Sequence, residues 1–398
     1  MLAPGHSTTC SVCGRNSGSV LSYRSLYVSA RAQRSQLIVS YCGVGLVRRP
    51  SRVRRNFIRV RGEEMKMRAV VAGAKGGPEV LELQDVELPW PGLPRAVLIR
   101  LSAAALNPAD SFFRRFGGYV TGPAPLVLGH DGAGIVEEVG AEVTAVRAGD
   151  RVCFCHGGIG AELGTYADYA IVPEERLAAV PVGVSMETAA ALPLVAITSW
   201  EALYDRAAVC EGEHVLIHAG AGGTGHLAIQ LALLRGARVA TTVSSAEKMR
   251  FVEELGAEWP INYRERDFLE EVIRWSVAGA AVALDNVGSQ TMLTTYRAMA
   301  PYGRVVTLMG IPGDDTELTA YNQNLTLHNV MMLTPMWKKL HHRLQAQTAI
   351  LREVLALVAA GKLRVHISAR LPLRDASEAH TLMDRGGNIG KIVLTHTA

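Results

Sequence analysis

The stretch VLIHAGAGGTGHLAIQLALLRGARVATTV, residues 215–243, limits the possible folds of this chain more than any other part of it. An apolar run from Val215 to Ile217 leads into Gly220, Gly222, Gly223, Thr224 and Gly225. A helical pattern follows, and then a β-branched run from Arg238 to Val243. Strand, glycine turn, helix and second strand form the unit whose first turn accepts a dinucleotide pyrophosphate. One glycine permits the tight turn, one lets the backbone approach the phosphates, and one lets helix and strand pack closely. The helix N-terminus adds free N–H groups and a positive dipole end. A glycine-rich turn alone is weak evidence, since it also occurs without a ligand. The flanking strands and helix turn the reading towards nucleotide binding.

The alternation continues downstream. RVATTV, EWPIN, AAVALDNV and GRVVTLMG read as strands, separated by the helices AEKMRFVEELG, DFLEEVIRWS and SQTMLTTYRAMA. That order predicts an α/β fold with a doubly wound parallel sheet. Upstream of about residue 188 the texture differs. MRAVVAG, LELQDVEL, AVLIRLSAAAL, GAGIVEEVG, GDRVCFC, YADYAIVP and LAAVPVG are short strands punctuated by Gly and Pro. TAAALPLVAITSWEALYDRA then reads as one long helical stretch. After about residue 335 the helix LQAQTAILREVLALVAAGK leads to a final strand, IGKIVLTHT, expected to return to the first domain.

Hydrophobic residues make up 48% of the 398 and charged residues 20%, as in ordinary soluble proteins. No apolar run approaches the roughly 20 residues a membrane span needs, so no membrane association is expected. Six cysteines are too few for a disulfide scaffold in a chain this long, which favours a reducing compartment such as the cytoplasm. The net charge of +4 conceals a division. Residues 1–62 hold eleven Arg and no acid, leaving 30 of the 41 basic residues against 37 acids in the rest, a net of −7. The body therefore offers no case for nucleic-acid binding.

Three readings compete for residues 1–64, whose densest run is RRPSRVRRNFIRVR. They fit a mitochondrial transit peptide, which would place the protein in the matrix. They fit a disordered basic arm for anionic partners. They also fit untranslated sequence read in frame. Gly62-Glu63-Glu64 is encoded by a purine-rich run resembling a ribosome-binding site, directly before Met65 and Met67. The expectation adopted is a native start at Met65 or Met67. Cys10 and Cys13 have no second pair at zinc-finger spacing and are not read as a metal site.

ALNPADSFFRRFGGY, LGHDGAGIVEEVGAEVTAVRAGDRV, GTYADYAIVP, AALPLVAITSWEAL, HAGAGGTGHLAIQLA, INYRERDF, LDNVG and the closing GKIVL carry a family resemblance. In that order they resemble the medium-chain dehydrogenase/reductase superfamily, and within it the zinc-independent, zeta-crystallin-like quinone oxidoreductases. The resemblance runs through residues 66–394. It implies a GroES-like catalytic domain split around a Rossmann domain, with the active site between them. It also implies a homodimer joined through the Rossmann sheets. The division expected is 1–64 as a basic extension, 65–195 with 335–398 as the catalytic domain, and 196–334 as the cofactor domain.

Relatives that bind catalytic zinc do so through Cys, His and Cys, and such a site needs three protein ligands. Those positions here hold Asn107, His130 and a residue near Leu194, so no metal is expected. Cys153, Cys155 and His156 form a local cluster. The two thiols face one side of a strand, read as a buried small position and an edge thiol.

NADPH is the expected cofactor. The second strand of the nucleotide unit ends at Ser244 and Ser245, where NAD-binding units usually carry an acid. Lys248 follows one turn on, and the resemblance adds Tyr263 as a wall of the same pocket. Ser244 also reads as the N-cap of a capping box closing at Glu247. Asn286, after AAVALD, is expected at the cofactor crevice.

For the acceptor side, the resemblance places Asn107, Asp110 and Thr198 near the nicotinamide. Several relatives have Tyr where Phe112 stands, and Tyr119 is the alternative hydroxyl, or a packing residue. Thr198 equally suits a hydroxyl bonded to its own helix. His130 is either a proton donor or a satisfied buried histidine. The leading function is hydride transfer from NADPH to a quinone or α,β-unsaturated carbonyl. An enoyl-thioester reductase, an alcohol dehydrogenase and a non-catalytic NADPH-binding redox sensor or structural protein remain as alternatives. TLHNVMMLTPMWKKLHHR is expected at the domain junction, in the acceptor pocket or a subunit contact. The intact mass of protein isolated from its source tests the start site: a mass corresponding to a start at Met65 or Met67 is expected, and one matching residues 1–398 overturns it.

Overall fold

The computed structural model describes residues 65–90, 93–118, 126–159, 162–313, 315 and 318–396. The readings of residues 1–64, Cys10 and Cys13 included, and of Tyr119 fall outside the described residues.

The first half is β-rich. In chain order it holds β1 (Lys66–Ala72), β2 (Leu81–Glu87), β3 (Ala96–Ala105), α1 (Pro108–Phe116), β4 (Leu126–Val127), β5 (Asp131–Val139), β6 (Arg151–Cys155), β7 (Tyr169–Pro173) and β8 (Ala178–Ala179). β3 is the hub: β5, β7 and the last strand of the chain all pair antiparallel with it. Its AVLIRLSAAA run is almost wholly buried, because it is covered along its length. β1 lies in a separate small sheet between β2 and β4.

The expected long helix of residues 188–207 is instead broken. α2 (Met186–Ala190) stops before Pro193, which opens α3 (Pro193–Trp200) at its first turn. A proline there lacks only an N–H that would have had no helical partner. The last turns, Glu201–Arg206, widen into π-helical geometry.

The parallel sheet follows. β9 (His214–Ile217), α4 (Gly223–Leu234), β10 (Arg238–Val243), α5 (Ala246–Glu254), β11 (Trp259–Asn262), α6 (Phe268–Ser276), β12 (Ala280–Asp285), α7 (Ser289–Ala298), β13 (Met299–Thr307), α8 (Thr319–Asn322) and β14 (Thr326–Asn329) alternate as the pattern predicts. The sheet order is β11-β10-β9-β12-β13-β14, and all five pairings are parallel. β10 buries five consecutive residues, Val239 to Val243, as a strand covered on both faces must. The chain leaves β9 towards β10 and returns on its other side as β12. The carboxyl ends of β9 and β12 therefore flank the switch point where such sheets take ligands.

α9 (Thr334–Trp337), α10 (His341–Ala359), β15 (Ile367–Pro372), α11 (Ala376–Arg385) and β16 (Lys391–Thr395) complete the chain. β16 pairs antiparallel with β3, so the tail does rejoin the first sheet. β14, β15, α1 and α11 were not anticipated from the pattern. β14 alternates only weakly and lies at a sheet edge, and α11 is short. The TLHN stretch is thus the outermost strand of the parallel sheet.

α4 is apolar on all sides, because the sheet covers one face and the returning tail another. Two buried polar residues on it serve the tail. Gln230 donates to the His226 and Arg364 carbonyls and accepts the Arg364 N–H at 2.8 Å. His226 accepts the His366 N–H on Nε2 at 3.2 Å, while Nδ1 lies 2.9 Å from the Gly222 carbonyl. Gln230→Leu leaves two Arg364 backbone groups unpaired and is expected to cost roughly 2–4 kcal/mol. Urea unfolding reads this as a lower midpoint at unchanged slope; a loss under about 0.5 kcal/mol contradicts the tie.

Candidate active site

The site begins at the N-terminus of α1. Asn107 is the N-cap in extended backbone, Pro108 follows at the first helical position, and Asp110 stands three residues on. Asp110 Oδ2 accepts the Asn107 N–H at 2.7 Å, the carboxylate half of a capping box. The Asn107 amide points the other way. Its Nδ2 donates to Asp131 Oδ2 at 2.9 Å, and its Oδ1 accepts from Lys391 Nζ. Lys391 also donates to the Leu106 carbonyl at 2.8 Å and lies 3.5 Å from Asp131 Oδ2. Asp131 Oδ1 accepts the Leu194 N–H at the start of α3, at 2.9 Å. Burial pushes the Asp131 carboxyl up and the Lys391 ammonium down, and each opposes the other's displacement.

Three of the expected catalytic residues meet here. His130 Nδ1 lies 2.6 Å from Asp110 Oδ1, and Tyr166 OH donates to Asp110 Oδ2 at 3.2 Å. Burial works to raise the Asp110 carboxyl, but His130, His380 and the Asn107 N–H together hold it below its ordinary value. Asn107, Asp110, His130 and Asp131 are all fully buried. His130 is thus only half satisfied. Among the buried side-chain atoms of this cluster, its Nε2 and the neighbouring Thr165 Oγ1 have no partner. Thr198 Oγ1 donates to the Leu194 carbonyl at 2.7 Å, a bond within its own helix, one turn from the residue that binds Asp131. Phe112 is exposed.

The zinc-ligand positions do not assemble a donor set. The Asn107 side chain is spent between Asp131 and Lys391, and Leu194 contributes only a backbone N–H. Among the described residues no group of three or more His, Cys, Asp or Glu is placed to hold a metal ion. His156 turns away from the two thiols. Arg176 donates to its Nδ1, and Glu162 lies 3.2 Å from its Nε2. The reading of Cys155 as an edge thiol is corrected: both thiols are buried, and Cys155 stands opposite Asp131 in the β5–β6 ladder. Burial and the Asp131 charge push the Cys155 thiol well up.

The glycine turn fits a dinucleotide. A Cβ on Gly220 would stand 1.9 Å from Thr241 Oγ1, and one on Gly225 would stand 2.3 Å from the Ala219 carbonyl oxygen. α4 starts at Gly223 behind N-cap Gly222, with no side chain capping it, so its first amides face the crevice unscreened. The Thr224 carbonyl is held by Ser199 Oγ. The final strand closes on the same turn: Gly390 N–H bonds the Ala221 carbonyl at 2.8 Å. Asn286 Nδ2 donates to the His218 carbonyl at 2.7 Å, joining the ends of β12 and β9, and its buried Oδ1 has no partner.

At the end of β10 the capping assignment moves by one residue. Ser245, not Ser244, is the N-cap of α5 and accepts the Lys248 N–H. Ser245 has the extended backbone a cap requires, so the Ser244 hydroxyl is released and receives Lys248 Nζ at 3.3 Å. Tyr263 N–H bonds the Val243 carbonyl, which seats the exposed Tyr263 and Arg264 beside that serine. Burial first, then the Arg264 charge, depresses the Lys248 ammonium.

Sequence reasoning missed Tyr166, Lys391, His380 and Arg264. It also missed α1, although Asn107-Pro108-Ala-Asp110 combines a capping-box spacing with Pro at the first helical position. Tyr166 and His380 lie 56 and 270 positions from Asp110, and nothing local marks them.

Two lobes, a phosphate-ready glycine turn at the switch point and a buried polar centre where the lobes are joined define a nicotinamide-dependent oxidoreductase. Comparisons agree. The alcohol dehydrogenase GroES-like domain model matches residues 93–182, and the zinc-binding dehydrogenase model matches 255–394. A Pseudomonas aeruginosa quinone oxidoreductase is 35% identical over 81% of this chain and 97% of its own. A 2-haloacrylate reductase from a Burkholderia species is 32% identical over 82% and 98%. A crystal structure of an NAD-dependent alcohol dehydrogenase aligns with a TM-score of 0.75 at 34% identity, covering 83% of this chain and all of that one. The chain belongs to the quinone oxidoreductases of the medium-chain dehydrogenase/reductase superfamily.

Burial presses His226 and His380 down to about 4, so both are neutral in the folded protein. Unfolded, each takes a proton near pH 6.5. Their contribution is therefore complete above pH 6.5 and is lost as pH falls towards 4, by up to about 1.4 kcal/mol per pH unit each. Denaturant midpoints are expected to drop between pH 7 and 5. A flat profile there contradicts the neutral assignment.

Proposed function

We propose that the chain is an NADPH-dependent, metal-free reductase that transfers hydride to a quinone or an α,β-unsaturated carbonyl. The observation that carries the acceptor chemistry is His130 Nε2, an unpaired buried nitrogen in a centre whose other polar groups are nearly all paired. A reduced nicotinamide bound in the β9/β12 crevice supplies the hydride. When hydride reaches the β-carbon of an enone, the alkene electron pair moves to the carbonyl oxygen, and one proton must follow. Nε2 is the His130 nitrogen placed to relay that proton to the oxygen, while Nδ1–H stays held by Asp110 before and after the step. Asn107 acts by holding Asp131 and Lys391 in place. Thr198, on the adjoining turn of α3, borders the nicotinamide side. Tyr119 stays a candidate hydroxyl. The 2-haloacrylate reductase relative favours the conjugated-alkene acceptor, and the Pseudomonas relative favours the quinone.

The cofactor choice rests on Ser244, Lys248 and Arg264, with Ser245 capping the helix beside them and Tyr263 as the wall. Two cations with no carboxylate at the strand end suit a 2′-phosphate and give a 2′-hydroxyl no acceptor. Gly220, Gly222, Gly223, Thr224 and Gly225 would hold the pyrophosphate, and Asn286 Oδ1 would accept a hydrogen bond from the cofactor. The metal-free part rests on Asn107 and Leu194 at the other two ligand positions, which leave His130 as one donor where a catalytic zinc needs three.

The same proposal divides the body at residues 195 and 335 into catalytic and cofactor domains. It makes the protein a homodimer through the edge strand β14, whose one strand neighbour among the described residues is β13. No described helix is long and apolar enough to cross a membrane; the proposal places the enzyme in the cytoplasm.

The deciding experiment follows NADPH and NADH oxidation over quinones, enones, enoyl-thioesters and simple ketones, with and without a chelator. NADPH is expected to exceed NADH in kcat/KM by about tenfold or more, with turnover of quinones or enones and no effect of the chelator. A preference for NADH, exclusive turnover of simple ketones, or loss of activity to the chelator each removes a named part of the proposal.

A further inference from the structure

Three buried polar side chains beside the centre have no part in the reaction just described: Tyr166, His380 on α11 and Arg114 on α1. Their hydrogen bonds run in a fixed direction. Arg114 donates through Nη2 to Asp384 Oδ2 at 2.6 Å, through Nε to the Gly76 carbonyl at 3.2 Å, and through Nη1 to His380 Nδ1 at 2.7 Å. A guanidinium can only donate, so His380 Nδ1 accepts and its proton sits on Nε2. That Nε2 lies 3.2 Å from Tyr166 OH. The phenol receives this bond and gives its own proton to Asp110 Oδ2. Asp110 thereby takes three donors: Asn107 N–H and Tyr166 OH on Oδ2, and His130 Nδ1–H on Oδ1. The donor-only end at Arg114 dictates every link, and the chain ends with His130 holding its proton on Nδ1 and presenting Nε2.

We propose that Tyr166 and His380 are positioning residues for proton transfer at His130, acting through this ordered chain. The proposal rests on the His130 reading above. The need for such a chain follows from burial. A carboxylate enclosed in apolar surroundings tends to take up a proton, and a protonated Asp110 would no longer draw a proton to His130 Nδ1. Three donors keep it ionised, and two of the three remain when Tyr166 is lost. The competing role is purely structural, since Arg114 and Ser111 also fasten α1 to Asp384 on α11.

Three variants separate the roles. Tyr166→Phe removes one hydroxyl and leaves the Arg114–His380–Asp384 contacts in place. His380→Gln keeps the direction of the chain, because its amide oxygen accepts from Arg114 and its NH2 donates to Tyr166. His380→Leu breaks it at nearly equal volume. In wild-type, cofactor-free enzyme, side-chain nitrogen NMR of labelled histidine is expected to show His130 protonated on Nδ1 and His380 on Nε2. Tyr166→Phe and His380→Leu are expected to shift the His130 Nδ1 signal and to lower kcat by about tenfold to a hundredfold with KM little changed. His380→Gln is expected to recover most of both. The double variant Tyr166→Phe/His380→Leu is expected to be no worse than Tyr166→Phe alone, because both cut one chain. His380 protonated on Nδ1 in the wild type, equal losses in the Gln and Leu variants, or additive losses in the double variant overturn the proposal. Should no acceptor be turned over, the two histidine signals still decide it, so a failed reaction and a failed chain are separate results.

Discussion

The interaction on which the rest of this structure depends is the buried pair between Lys391 and Asp131. Both side chains are almost wholly removed from water, and they lie 3.5 Å apart. Removing either partner would strand a charge in the core at a cost of about 3–5 kcal/mol. The pair is tolerable because every remaining site around it is filled. Asn107 bridges the two charges, Leu106 offers its carbonyl to the ammonium, and the Leu194 N–H takes the second carboxylate oxygen. One knot thus fastens the last strand, β5, the start of α1 and the start of α3. The returning tail is what makes the centre possible, since Lys391 arrives from the last strand of the chain.

The same residue reaches the nucleotide turn. A Cβ on Gly223 would stand 3.3 Å from the Lys391 stem, and the preceding Gly390 bonds the Ala221 carbonyl. The glycine turn is thus bonded to the Gly390 backbone and lies beside the Lys391 stem, whose ammonium sits in the buried polar centre. Gln230 and His226 repeat this arrangement further along α4, tying the cofactor helix to residues 364–366. The tail acts as a strap along α4 and supplies one member of the buried polar centre.

The parallel sheet was legible because its signals are local. Buried strands such as Val239–Val243 read as continuous apolar runs, and the glycine turn has a chemistry that tolerates few alternatives. The antiparallel half was legible strand by strand but not in its order, because the hub role of β3 depends on pairings with residues up to 292 positions away. The break at Pro193 was visible in the sequence and outweighed by the apolar pattern around it. The site divides in the same way. Asn107, Asp110 and His130 were marked by their motifs, whereas Tyr166, His380 and Lys391 become partners only when distant segments fold together. The half-paired state of His130 lies beyond any sequence reading, because it depends on which of two nitrogens meets Asp110.

The cofactor pocket turns on a displacement of one residue. Ser244 and Ser245 are chemically identical, and the spacing to Glu247 favoured the first as the cap. Capping is decided by backbone, and at φ −160° and ψ 162° it is Ser245 that turns its hydroxyl back onto the helix. Had Ser244 capped, its oxygen would have been spent on an α5 amide and Lys248 would have lost its partner. With Ser245 in that role, Ser244 faces outwards with a lysine bound to it and Arg264 near by. Burial and the Arg264 charge both disfavour the Lys248 charge, and the neighbouring Glu247 offsets part of that. Selectivity between the two nicotinamide cofactors is a difference between two binding energies, and the attraction of these cations for a 2′-phosphate would enter only one of them.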